Sequence, residues 1–308
     1  MTTTAIAALV LILAGTILRR AGIVRAEDGE VFVRVVIYIT MPALVFLILM
    51  RADLEGSLVL VPLIALVAHV ILILVALTAS RLMRLNRPST GAMIVASAVG
   101  NTGFFGVPLI ANSGPGFSPL AAVMFDTFAT GLITWTSTVA IGSAYGTATE
   151  GAKVDWHQVG RALLLPPNWF LAAGLLLNLA GVREADSPEA IVKPLQIASG
   201  AVLPLVMIYV GMMLAPKGIG RVWPQVATVV MTRLVLAGVI GFALAWAVGL
   251  RGDVLHTVVL MSAMPTAIMS LVIGGGQYRL TSDIIAGSIL VTTMLCTVTL
   301  PIIRASVA

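Results

Sequence analysis

The chain has 308 residues, of which 59% are hydrophobic and only 10% charged, and its mean hydropathy is +1.07. A soluble globule cannot bury that much apolar surface, so the composition excludes a water-soluble enzyme or binding module and points to a multispanning membrane protein. The net charge of +5 does not signal nucleic acid, because Lys and Arg fall mainly in short gaps between apolar runs, where they orient a chain in a bilayer.

A bilayer core of about 30 Å is crossed by about 20 apolar helical residues. Read at that length, the chain yields ten spans, near 3–19, 31–50, 57–81, 90–112, 118–143, 159–181, 190–214, 224–249, 254–276 and 281–303. No basic residue precedes the first run and Arg19 and Arg20 follow it, so it reads as a retained span and not as a signal peptide. The second carries Met41-Pro42 and the third His69. The fourth is interrupted by Gly100-Asn-Thr-Gly-Phe-Phe-Gly-Val-Pro108, and the fifth carries Asp126. Residues 146–158 form a polar linker, too short for a domain of its own, between a first five-helix repeat (1–145) and a second (159–308). Beyond it, the seventh span carries Leu203-Pro204, the eighth Arg233, and the ninth the interruption Met264-Pro-Thr-Ala-Ile-Met-Ser270. Gly274-Gly275-Gly276 lacks the strand and lysine of a phosphate loop and reads as a helix exit. The only cysteine, Cys296, lies in the last run, so there is no disulfide framework.

An odd number of spans per repeat turns the second half upside down, which makes an inverted 5+5 repeat in an all-α integral membrane protein. Twelve basic residues, among them Arg81, Lys153 and Arg221, fall on one face and five on the other. The termini are therefore expected outside and the 144–158 loop in the cytoplasm, in the plasma (inner) membrane. Arg81, Arg84 and Arg87, at helical spacing beside the cytoplasmic face, suit anionic lipid headgroups.

Pro108 removes an amide donor and its ring clashes with the Phe104 carbonyl, while Gly103 and Gly106 loosen the same turn, so the fourth helix is expected to open there. Asn101 and Pro265 each lie about 17 Å from opposite faces, which lets the two broken helices cross at the midplane. Backbone groups freed at such depth must line a cavity or be capped, and Asn101, Thr102 and Thr266 are placed for either. Half-helices starting beyond the breaks favour an anionic group such as a carboxylate. These features point to a carrier of a small organic anion, with a membrane sensor or channel as the alternative. The expected binding residues are Asn101, Thr102, Gly103, Gly106, Pro108, Pro265, Thr266, Ala267, Ile268 and Met269.

Three ionisable residues lie inside apolar runs, where an unpaired charge is expensive. Asp126 and Arg233 sit at similar depths and suit either a fixed ion pair or a substrate or proton role. His69 suits either neutral packing or a proton-sensitive contact. The three histidines, His69, His157 and His256, occupy unrelated positions, so no metal and no cofactor is expected, and no nucleophile–base pair suggests an enzyme.

Tyr38-Ile-Thr-Met-Pro-Ala-Leu-Val-Phe46, Gly100-Asn-Thr-Gly-Phe-Phe-Gly-Val-Pro-Leu109, Met264-Pro-Thr-Ala267, Gln277-Tyr278 and Thr299-Leu-Pro301 together resemble the auxin efflux carrier family, which holds the plant PIN proteins and many bacterial relatives. The resemblance covers nearly the whole chain. It implies crossed broken helices, alternating access between a scaffold and a moving transport domain, and a homodimer. It carries Asn101 and Pro108 over to the fourth-span motif and Pro265 to the ninth-span crossing. Many bacterial relatives place an asparagine a few residues after that proline, whereas Ile268-Met269 stand here, which implies a more apolar substrate or one fewer polar contact. Bacterial members associated with malonate and other carboxylates widen the substrate class beyond auxin.

Overall fold

The computed structural model describes residues 2–25, 27–54, 56–147, 164–213 and 219–307. Most of the expected linker lies outside these residues, as do Lys153, Arg161 and Lys217. Among the described residues nearly everything is helical, and the only β-type pairing is one isolated bridge. Five helices are long and apolar enough to cross a membrane: Gly29–Arg51, Leu60–Leu82, Glu189–Met213, Ile219–Ala247 and Ser282–Ile303. The 119–145 helix is as long, but Asp126 and the hydroxyls of Thr127, Thr130, Thr134, Thr136, Ser137 and Thr138 lower its hydropathy. The fourth and ninth apolar runs are each divided. One gives Arg87–Ala98 and Thr102–Ala111, and the other gives Gly252–Ser262 and the π-helical turns of Leu271–Gln277.

Local chemistry sets several of these starts. Asn86 accepts a hydrogen bond from the Ser89 amide, with Pro88 in the first turn of the 87–98 helix. Ser118 likewise accepts from the Ala121 amide, with Pro119 opening the next helix. Inside several helices the register loosens into π-turns, at Val36–Thr40, Thr102–Gly106, Asp126–Thr130 and Met231–Leu236. Such turns interrupt a regular α-helix at positions that often serve function. Here they hold both Asp126 and Arg233.

The helices pack in two groups, each drawing segments from before and after the 146–158 linker. In the first, Thr2–Arg20 lies along Val202–Met213, and Gly29–Arg51 lies along Pro166–Leu179 and the Glu189–Gly200 portion. The remaining helices form the second group around 87–111 and 252–277. Small residues bring the first pair together: a Cβ on Gly15 would lie 2.1 Å from the Ile208 carbonyl oxygen, and one on Gly211 would lie 2.0 Å from that of Ile12. Backbone contact of this kind supplies the van der Waals packing that holds helices together in lipid. Thr16 adds a hydrogen bond to the Gly211 carbonyl at 3.1 Å and Arg19 one to that of Met212 at 2.6 Å.

At the far end of the 29–51 helix, Asn178 donates to the Leu49 and Ala52 carbonyls at 2.6 and 2.8 Å. Arg51 pairs with Glu184, which also accepts from Gln196 at 2.7 Å. The Arg51 hydrogen bond holds the Glu184 carboxyl below its ordinary pKa. These contacts join the ends of the 29–51, 166–179 and 189–213 helices into one block.

Gly211→Ala would place a methyl group inside the reach of a backbone carbonyl, so the helices must part. The expected cost is about 1–3 kcal/mol, read as a lower thermal unfolding midpoint of the detergent-purified protein. Gly200→Ala, where the Cβ position meets open space, changes stability by less than about 0.5 kcal/mol.

Candidate binding site at the two helix breaks

The 87–98 helix ends at Val99, which is extended, and the chain passes through Gly100 and Asn101 before helical structure resumes. The 252–262 helix ends at Ala263, and 264–270 is largely irregular. The two interruptions meet. The Asn101 amide donates to the Pro265 carbonyl at 2.7 Å and the Ala267 amide to the Val99 carbonyl at 3.0 Å, forming an antiparallel bridge between Gly100 and Thr266. Each break thus supplies the partners the other lacks, in a region where lipid has none to offer. Thr266 closes the junction: its amide donates to Thr292 Oγ1 at 3.1 Å and its hydroxyl to the Ala96 carbonyl at 2.9 Å.

The opening lies at 99–101 and not at Pro108, as the proline had suggested. Pro108 stands in the second position of Val107–Ala111, after the π-turn of Thr102–Gly106. The wider π register and the position of Pro108 near a helix start let the chain run on without the missing amide. The glycines of the fourth run make room for neighbours as much as they loosen a turn. A Cβ on Gly100 would meet Arg233 Nη2 at 2.5 Å, one on Gly103 Asp126 Oδ2 at 2.9 Å, and one on Gly106 Met261 Sδ at 2.8 Å.

Arg233 is 3% exposed and lies on the junction. Its Nε donates to the Met264 carbonyl at 2.9 Å and its Nη2 to that of Ser262 at 2.6 Å. Nη1 lies 3.4 Å from both the Ser97 and Ala98 carbonyls. One guanidinium therefore covers the C-terminal carbonyls of both half-helices, where the helix dipoles are negative. His69 Nδ1 donates to the Ala98 carbonyl at 3.1 Å, and Nε2 lies 2.9 Å from Ser137 Oγ.

The ion pair between Asp126 and Arg233 that their depths allow is not formed. Asp126 Oδ1 accepts from Thr102 Oγ1 at 2.6 Å and the carboxylate packs on Gly103. The donors of Arg233 are spent on carbonyls, and the 99–103 segment presents Gly100 to the guanidinium and Gly103 to the carboxylate.

A cavity of about 210 Å³ lies between the two packing groups, beside this junction. Asn101, Thr102, Gly103, Asp126, Ala267, Ile268 and Met269 all line it, whereas Gly106, Pro108, Pro265 and Thr266 do not. His69 and Arg233 border a separate, much smaller void. Asn101 is 3% exposed and its Nδ2 has no hydrogen-bond partner. The first group contributes Ile37, Met41 and Val45 from the π-bulged part of the 29–51 helix, and the second adds Thr127, Thr130, Thr134 and Trp135. None of these was among the expected binding residues. A readable signal did exist for two of the threonines: Thr130 and Thr134 follow Asp126 at helical spacing.

Comparison with known proteins gives a consistent picture. A family profile described as membrane transport protein matches residues 1–139 and 158–304. An uncharacterized transporter of Methanothermobacter thermautotrophicus is 30% identical over 303 residues, covering 98% of this chain and 96% of the relative. An uncharacterized transporter of Methanocaldococcus jannaschii is 28% identical over 291 residues, covering 92% of each.

Arg233→Gln leaves main-chain carbonyls at two helix ends without charged donors, which is expected to destabilise the protein by about 3–5 kcal/mol. Adding Asp126→Asn does not restore the thermal midpoint, because the groups left unsatisfied are carbonyls. Restoration by the second change would mean that the two side chains pair after all.

Proposed function

Because the chain belongs to the membrane transport protein family, the auxin efflux carrier family that its motifs resemble, we propose that it is a secondary carrier of a small organic anion, binding it in the cavity at the two helix breaks. The observation that carries this reading is the cavity between two helix groups whose wall includes Asn101, a buried residue whose Nδ2 has no hydrogen-bond partner. An unsatisfied buried donor is costly, and an amide turned toward the cavity would donate to a ligand oxygen. Thr102, Gly103 and Phe104 line the same wall at the start of the 102–111 helix, where first-turn amides lack intrahelical acceptors and favour negative charge. The apolar side chains of Ile37, Met41, Phe104, Trp135, Ile268 and Met269 suit the carbon body of such a substrate.

In this reading the helical segments are ten spans in an inverted 5+5 repeat, and the divided fourth and ninth spans cross. Access alternates as the group around the crossing moves against the block built on the 29–51 helix. The carrier works as a homodimer in the plasma membrane, with both termini outside and the 144–158 loop in the cytoplasm. A maleimide should label Gly151→Cys from the cytoplasmic side only, the native Cys296 being buried. Labelling of intact cells from outside would reverse the orientation.

The binding site is tested with the purified full chain and a panel of acetate, malonate, phenylacetate and indole-3-acetate. A carboxylate that binds the folded state raises the thermal midpoint. Asn101→Ala is expected to weaken binding about 10- to 100-fold, the loss of a charge-assisted hydrogen bond of roughly 1.5–3 kcal/mol, with membrane insertion intact. Saturable exchange of labelled substrate in proteoliposomes separates a carrier from a channel. Unchanged affinity in Asn101→Ala would place the site elsewhere.

A further inference from the structure

Among the described residues, Asp126 is the only ionisable side chain lining this cavity, and it stands on the wall where the organic anion of the proposed function would bind. Its Oδ1 accepts from Thr102, the residue next to Asn101. Among the described residues no cation lies within ion-pair distance of it. Four charged or titratable groups on or beside the helices packed around it bond other partners. Arg233 covers the carbonyls of Ser97, Ala98, Ser262 and Met264. His69, on the 60–82 helix, bonds the Ala98 carbonyl and contacts Ser137. His256, on the 252–262 helix, lies 3.2 Å from the Gly116 carbonyl. Arg51, at the end of the 29–51 helix, pairs with Glu184.

A carboxylate ligand held by Asn101 and the start of the 102–111 helix would therefore meet a second carboxylate, with no positive side chain among the described residues of the lining to offset the pair. Two carboxylates sharing a site do not both stay ionised, since the repulsion raises one affinity for a proton. We infer that Asp126 and the bound carboxylate hold one proton between them, so that the substrate is carried together with a proton. The proton comes from solvent as the complex forms, sits between an Asp126 carboxylate oxygen and a carboxylate oxygen of the ligand, and returns to solvent on release. No bond to carbon changes. The substrate class this favours is a monocarboxylate with an apolar body. A dianion would bring a further negative charge that the cavity does not offset.

This inference rests on the carboxylate reading of the cavity, and calorimetry separates the two. Phenylacetate, acetate and indole-3-acetate are titrated into the full chain in nanodiscs at pH 6.0 and 7.5, each in two buffers of different ionisation enthalpy. The expected result is uptake of about one proton per ligand, with affinity falling about tenfold per pH unit wherever free Asp126 is ionised. Asp126→Asn should abolish both the uptake and the pH slope and bind more tightly than the parent at pH 7.5, because its amide stands in for the protonated acid. The proton count on the unaltered protein does not depend on that variant folding. Binding without proton uptake would overturn the inference and leave the carboxylate reading standing. Uptake that persists in Asp126→Asn, or binding that needs sodium in place of a proton, would overturn it equally. Failure of all three acids to bind at either pH would overturn the carboxylate reading and this inference with it.

Discussion

Two helices that stop inside an apolar medium leave main-chain donors and acceptors that lipid cannot satisfy, and the whole arrangement follows from how those groups find partners. The breaks at 99–101 and 263–270 meet, and the Gly100–Thr266 bridge exchanges two main-chain hydrogen bonds between them. The Arg233 guanidinium then covers carbonyls from both arriving helices. Gly100 is required at this point for space, since a methyl group there would strike the guanidinium.

The junction divides its charge between two faces. On one face Arg233 and His69 bond carbonyls in a tightly packed region. On the other, Asn101, Thr102 and Asp126 border the cavity, and the polar face continues through Thr127, Thr130 and Thr134. A buried guanidinium with its donors occupied is a structural fixture, whereas the Asp126 carboxylate beside the cavity is available for chemistry. The opposite wall comes from the 29–51 helix, which belongs to the other packing group. A cavity built from two groups changes its access when one moves against the other, and that link joins the packing to the proposed transport.

The contrast between Pro108 and Asn101 shows how a local signal can mark a region and miss the position. Proline reads as a break because it lacks an amide and crowds the preceding turn. In the folded chain the π-turn of Thr102–Gly106 accommodates it, and the true opening lies several residues earlier, where the second broken segment supplies replacement hydrogen bonds. Depth along two helices likewise placed Asp126 and Arg233 at similar levels, but depth carries no information about rotation or about a backbone segment lying between them.

What the sequence by itself determined was the solvent, the helical class and the regions of the two interruptions, because hydropathy and proline and glycine punctuation act over a few turns of one helix. Asn101, Thr102 and Asp126 were legible for the same reason: a polar residue inside an apolar run must find a partner or a cavity. Tertiary structure alone decided which polar groups meet. It gave Arg233 to the carbonyls of two helix ends, gave Asp126 to Thr102, and brought Ile37 and Met41 to the cavity from a helix distant in the chain. Those outcomes depend on helix rotation and on which faces pack together, and packing between distant segments leaves no period in the sequence of either one.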